Sequence, residues 1–207
     1  MSTPFFQAFV EIITLFEELE SNHNLPYMLI GGILTPIYAE SRQTQDVDVL
    51  AHIQVNENNK NVLINTFEKL KFQPVLSWRD TFLDWKSLKY IQFFDRTGLV
   101  KIDLILLDPS YKGKNIREKM KILTFYNRVR ISIQGTDCWA TSKEDFILSK
   151  LVYGGYQDYK DALACWIRYN QELDTKYLER NAINLQIEQE FKYILQMIPA
   201  DKAFPGE

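Results

Sequence analysis

The sequence predicts an α/β fold of the α+β type: a small mixed β-sheet flanked by helices, with a helical C-terminal part. Three observations carry this expectation. Short apolar runs rich in β-branched and aromatic residues recur at 27–30, 47–53, 88–94, 99–107 and 129–133, each bounded by turn-forming residues. Helical spacing of apolar residues takes over after position 141. No internal repeat or low-complexity tract interrupts the pattern. The chain therefore divides into a sheet-bearing core over 1–140, with an N-terminal helix, and a helical extension over 141–207 packed on it as one compact unit.

The elements follow in order. Thr3-Pro4 opens an amphipathic helix whose apolar residues include Phe5, Phe6, Phe9, Val10, Ile12 and Ile13. Residues 27–30 form a buried strand, Gly31-Gly32 a turn, 33–40 a helix and 47–53 a second strand. A crossover helix spans 58–70. Residues 88–94 and 99–107 form a hairpin through Asp95-Arg-Thr-Gly98, and 129–133 add a strand. Helices are expected over 143–153 and 157–169, then two more ending near 198–199, before a loose tail.

Composition sets bounds on function. The chain has 207 residues, 46% of them hydrophobic and 14% aromatic, enough for a sizeable core. Glutamates recur in the first helix and no basic segment precedes it, so it does not read as a secretion signal. No apolar run approaches the roughly 20 residues of a membrane span, and a cytoplasmic location is expected. Cys138 and Cys165 lie far apart without metal-ligand spacing and read as reduced structural thiols.

Chemistry concentrates at Gly31-Gly32 and at the run Arg42-Gln-Thr44-Gln-Asp46-Val-Asp48-Val-Leu. Alternation along a strand points Asp46 and Asp48 to one side while Val47 and Val49 face the core. Two adjacent carboxylates repel unless a cation lies between them, and Mg²⁺ suits an open Asp-x-Asp ledge because it binds a few carboxylate oxygens plus waters and substrate phosphates. Glycines let the backbone approach a phosphate. Asp103 interrupts the apolar strand Leu99-Val-Lys-Ile-Asp103-Leu-Ile-Leu-Leu, where a lone carboxylate would cost several kcal/mol. It reads either as a third metal-binding carboxylate or as one half of a salt bridge with Arg42 or Lys101.

The Gly-Gly turn, the Arg-x-Thr-x-Asp-x-Asp run and the later Lys-x-Asp resemble the nucleotidyltransferase superfamily that includes DNA polymerase β, closest to the AbiEii-like and MenT-like bacterial proteins. A second segment, Trp139-Ala-Thr-Ser-Lys-Glu-Asp-Phe-Ile-Leu-Ser-Lys150-Leu with Gln157-Asp158-Tyr-Lys-Asp161, resembles the motif these proteins carry after the catalytic strands. The similarity spans roughly residues 25 to 165. It implies that Asp46, Asp48 and Asp103 bind two Mg²⁺ ions, that Gly31 and Gly32 hold the triphosphate and that Lys150 contacts phosphate. Arg42 and Thr44 precede the aspartates, where the arginine clamps a phosphate or pairs with the acidic cluster, and Asp161 orients Lys150 or a metal-bound water. The turn carries Gly-Gly where many active members carry Gly-Ser.

Plainer readings stand beside these. Ser142 and Asp145 have capping-box spacing, Lys150 also fits a surface lysine lying along apolar residues, and Asp158 suits the first turn of the next helix. The stretch 111–130 carries Lys112, Lys114, Arg117, Lys119, Lys121, Arg128 and Arg130 against Glu118, which suits either an RNA backbone or a solvated face. The expected activity is Mg²⁺-dependent transfer of a nucleoside monophosphate from an NTP to a hydroxyl. By resemblance the acceptor is tRNA or another macromolecule and the protein a toxin with a cognate antitoxin. The alternatives are a small, antibiotic-like acceptor, suited to the net charge of −3, and a catalytically silent nucleotide-binding regulator.

Overall fold

A computed structural model describes residues 4–40, 44, 46–85, 89–108 and 113–197. In chain order the elements are α1 (Pro4–His23), β1 (Tyr27–Ile30), a 3-10 turn (Gly31–Leu34), α2 (Thr35–Tyr38), β2 (Asp46–His52), α3 (Glu57–Lys69), β3 (Gln73–Pro74), α4 (Trp78–Thr81), β4 (Tyr90–Phe94), β5 (Lys101–Leu107), α5 (Ile116–Tyr126), β6 (Val129–Ile133), β7 (Thr136–Ala140), α6 (Lys143–Tyr153), α7 (Tyr156–Tyr169), α8 (Thr175–Asn184) and α9 (Glu188–Gln196). They group into two compact units. One comprises Met1–Ile33, Gln43–Tyr111 and Val129–Ala140, the other Leu34–Arg42, Lys112–Arg128 and Thr141–Glu207.

The first unit holds the whole sheet, ordered β3-β4-β5-β2-β1-β7-β6. The mixed α/β architecture expected from the sequence is the one observed. Strand β2 runs parallel to β5 and antiparallel to β1, and β4 pairs antiparallel with β5 as the expected hairpin. Asp95 fixes that hairpin's turn: its carboxylate accepts hydrogen bonds from the backbone of Thr97, Leu99 and Val100, and Gly98 supplies the left-handed φ of +74°. Alternation gives the sheet an apolar face. Val47, Val49, Phe93, Ile102 and Leu104 are buried there, and Phe67 of α3 stacks on Phe93 at 4.6 Å between ring centres. Phe16 of α1 stacks on Tyr27 at 5.4 Å on the same face. Each such fully buried side chain contributes about 1.5–3 kcal/mol. The opposite face carries Asp46, Asp48, Lys101 and Asp103 at one end and the buried Met28 and Leu50 further along.

Strands β3 and β7 were not expected. Strand β7, Thr-Asp-Cys-Trp-Ala, has one β-branched residue and so gives little strand signal. The dipeptide before it was the available clue: Gln134 and Gly135 both have positive φ, 50° and 85°, as the two-residue hairpin turn between β6 and β7 demands.

The second unit is helical. The helix expected over 33–40 is a 3-10 turn from Gly31 followed by the single α-turn of α2, with Pro36 in its first turn. Helix α5 was missed because its lysines and arginines drew attention to charge, yet Asn115 and Glu118 form a complete capping box at its start. Helix α6 ends at Gly154, which takes the left-handed cap at φ 70°. The expected helices at 143–153 and 157–169 are α6 and α7, followed by α8 and α9. Among the described residues no helix is long and apolar enough to cross a membrane. The tail after 197 lies outside the described residues.

Candidate active site

Strand register assembles the site in the first unit, on the sheet face opposite Val47 and Val49. Asp46 stands opposite Lys101 and Asp48 opposite Asp103 across the parallel β2–β5 pair. Ile30, the last residue before the glycine turn, pairs with Asp48, and Gln92 pairs with Asp103. Asp48 and Asp103 therefore sit on adjacent strands, about 4.8 Å apart in backbone spacing, with side chains on one face. The expected convergence of carboxylates from two neighbouring strands is present.

A lysine divides them. The Lys101 ammonium lies 3.0 Å from Asp46 Oδ2 and 3.1 Å from Asp103 Oδ2. These pairings raise its pKa, Asp46 most, so it stays charged throughout the physiological range. The salt-bridge reading of Asp103 with Lys101 is thus realised, but for one oxygen only. The other, Oδ1, is buried and has no hydrogen-bond partner.

Asp48 is placed differently. Among the described residues no cation lies within ion-pair distance of it, and its hydrogen bond comes from the Gly32 N–H, 3.2 Å from Oδ2. Burial raises its pKa, the charges of Asp103 and Asp46 add to the rise, and the Gly32 N–H and Lys101 oppose it. The glycine turn is necessary to this geometry. Gly31 has φ +70°, and a methyl group there would stand 2.2 Å from Asp48 Oδ2. Thr44 donates its hydroxyl to the Asp46 carbonyl at 3.1 Å and so shapes the start of β2. Arg42 lies outside the described residues.

The donor set fits a divalent cation in part. A half-buried carboxylate raised in pKa by desolvation and, less, by neighbouring carboxylates, and an orphaned Asp103 oxygen, both call for a cation. As the side chains lie, however, no three acidic, histidine or cysteine groups among the described residues form a ready metal-binding cluster.

Lys150 and Asp161 belong to the second unit and form their own cluster. Lys150 is nearly buried, 3.0 Å from Asp158 Oδ1 and 2.7 Å from Asp161 Oδ2, with Asp161 only 2% exposed. Lys150 is therefore not a surface lysine lying along apolar residues. Asp158 also accepts the Gly155 N–H at 3.3 Å, the helix-start role its position suggested, and Gln157 donates to Asp161 at 3.0 Å.

Ser142 caps α6 by accepting the Asp145 N–H. The return half of the box is replaced: the fully buried Asp145 side chain accepts the Tyr177 hydroxyl at 2.7 Å instead. Burial pushes the Asp145 carboxyl up to about 6, with the Glu144 charge adding to the rise and the Tyr177 bond opposing it. Cys138 and Cys165 are free and buried, and burial pushes both thiols up to about 12, which makes them inert structural groups.

No protein-family model and no curated protein matches this chain. Solved structures do share its fold. An antigenic nucleotidyltransferase-like protein from Paracoccidioides brasiliensis aligns with a TM-score of 0.51 at 17% identity, covering 92% of this chain and 93% of that one. The structure of ANT(2")-Ia in complex with adenylyl-2"-tobramycin aligns with a TM-score of 0.50 at 13% identity, covering 86% and 97%. At these identities the likeness shows a nucleotidyltransferase-like fold.

Proposed function

We propose that this chain transfers a nucleoside monophosphate from an NTP to an acceptor hydroxyl, with Mg²⁺ held by its strand aspartates. The observation that carries the reading is the pairing of Asp48 with Asp103 on adjacent strands, beside a glycine turn whose N–H is already bonded to Asp48. The shared fold is consistent with it.

The residues divide the work. Asp46 and Asp48 hold the cation that accompanies the nucleotide, and Gly31-Gly32 leave room for the triphosphate against the backbone. Bound there, Mg²⁺ offsets charge on the phosphates and on the leaving pyrophosphate. Asp103, through its unpartnered oxygen, takes the proton of the acceptor hydroxyl as that oxygen bonds to the α-phosphorus and the bond to pyrophosphate breaks. Lys150 keeps the phosphate contact that the resemblance gives it, with Asp161 orienting it, as a separate proposal, which requires a raised KM for NTP in Lys150→Met.

Two acceptor classes fit this chemistry. A small cationic hydroxylated molecule is favoured by the net charge of −3 and by the near full-length likeness to a structure holding an adenylylated aminoglycoside. tRNA modification by a toxin paired with an antitoxin rests on the AbiEii-like and MenT-like resemblance and on the basic stretch that includes α5. The test is incubation with Mg²⁺, each α-³²P-labelled NTP, and either total tRNA or a panel of aminoglycosides and lincosamides. Label on one acceptor class supports the reading and selects the acceptor. Binding of NTP without label transfer to either selects the silent regulator instead.

A further inference from the structure

We propose that Lys101 is a built-in cation that fills the position shared by Asp46 and Asp103, so that this site takes one divalent ion where three carboxylates alone would take two. The inference rests on the nucleotidyl-transfer reading and deepens it. Its basis is geometric: one ammonium stands 3.0 Å from Asp46 and 3.1 Å from Asp103, the distances of charge-assisted hydrogen bonds, and so occupies the space a bridging metal would need.

Register makes this placement a property of the fold. Lys101 is the strand partner of Asp46 and lies two residues before Asp103, so strand alternation puts all three on one face. Its side chain is 31% exposed and Asp103 20%, so the ion pair is partly shielded from solvent. Asp48 is left as the carboxylate that no described cation approaches within ion-pair distance, and Asp46, 45% exposed and two residues away on the same strand face, meets Lys101 through Oδ2 alone. These two hold the single ion.

The consequence for the reaction is a division of roles. The fixed ammonium orients Asp103 through Oδ2 and leaves the buried Oδ1, which has no hydrogen-bond partner, to take the acceptor proton.

The test is Mn²⁺ binding, read from the loss of the free-ion electron paramagnetic resonance signal on titration, in wild type, Lys101→Met, Lys101→Gln and Lys101→Arg, each checked for folding by circular dichroism. The expected result is one ion in wild type and Lys101→Arg, and two in Lys101→Met or Lys101→Gln, whichever folds. Two ions in wild type, or one ion in both wild type and the neutral variants whatever its affinity, overturns the inference while leaving the metal-dependent reading standing. No Mn²⁺ bound by wild type or by any variant overturns both.

Discussion

Gly31 and Asp48 are fitted to one another: Gly31 adopts φ +70°, and a methyl group on it would stand 2.2 Å from Asp48 Oδ2. Gly31→Ala therefore carries two penalties, a left-handed backbone costing about 1–2 kcal/mol and a collision at the carboxylate. The variant should unfold at lower urea concentration and lose Mn²⁺ binding in the same protein that still folds. Gly31→Ala with wild-type stability and metal affinity would contradict this coupling.

Asp48 should be a cost to the metal-free fold. Its folded-state pKa lies above its ordinary value, so the folded state holds the proton more tightly than the unfolded state. Stability from this group is complete below the ordinary carboxylate range and is lost as pH rises through the folded value. At neutral pH without metal, Asp48→Asn should melt at or above the wild-type temperature. Added Mg²⁺ should raise the wild-type melting temperature and leave the variant's unchanged. Differential scanning fluorimetry with and without MgCl₂ reads both.

Asp145 gives a second pH signature, in the helical unit. Its carboxyl is pushed up to about 6 from 3.8, so the stability it contributes falls as pH rises from about 4 to about 6. Two pKa units correspond to a fall of about 3 kcal/mol at most. Asp145→Asn still accepts from Tyr177 and should remove that slope. Urea titrations at pH 4, 5, 6 and 7 would show it, and parallel slopes in both proteins would contradict the assignment.

Lys150 holds two carboxylates between α6 and α7, one of them 2% exposed. Lys150→Met removes the ion pairs to Asp158 and to the buried Asp161, at a cost of about 3 kcal/mol. Adding Asp161→Asn should recover most of the loss, a coupling that a double-mutant cycle measures directly.

What the sequence made legible followed from strict periodicity. The two-residue period of Asp46-Val-Asp48-Val placed both carboxylates opposite the core, and the apolar run around Asp103 marked an interior strand beside them. The Asp95–Gly98 turn was readable from its own chemistry. Other features depended on information that lies between segments. Lys101 stood among the possible partners of Asp103, but its reach to Asp46 depends on the β2–β5 register, which no local pattern encodes. Helix α5 was hidden by its basic residues even though Asn115 and Glu118 announced its start, and β7 by its weak strand composition. Asp145 looked like a capping residue because spacing reveals the backbone it can reach, while its turn inward to Tyr177 depends on how α6 and α8 pack.

Nucleotidyl transfer at Asp48 and Asp103 can be read by following both ends of the triphosphate. Parallel reactions with α-³²P- and γ-³²P-labelled NTP, Mg²⁺ and the acceptor panel would be run with wild type, Asp48→Asn and Asp103→Asn. The account predicts α-label on the acceptor and γ-label in pyrophosphate for wild type, with both reduced at least ~100-fold in each variant. Transfer of γ-label to the acceptor, or α-label transfer undiminished in Asp48→Asn, would contradict it.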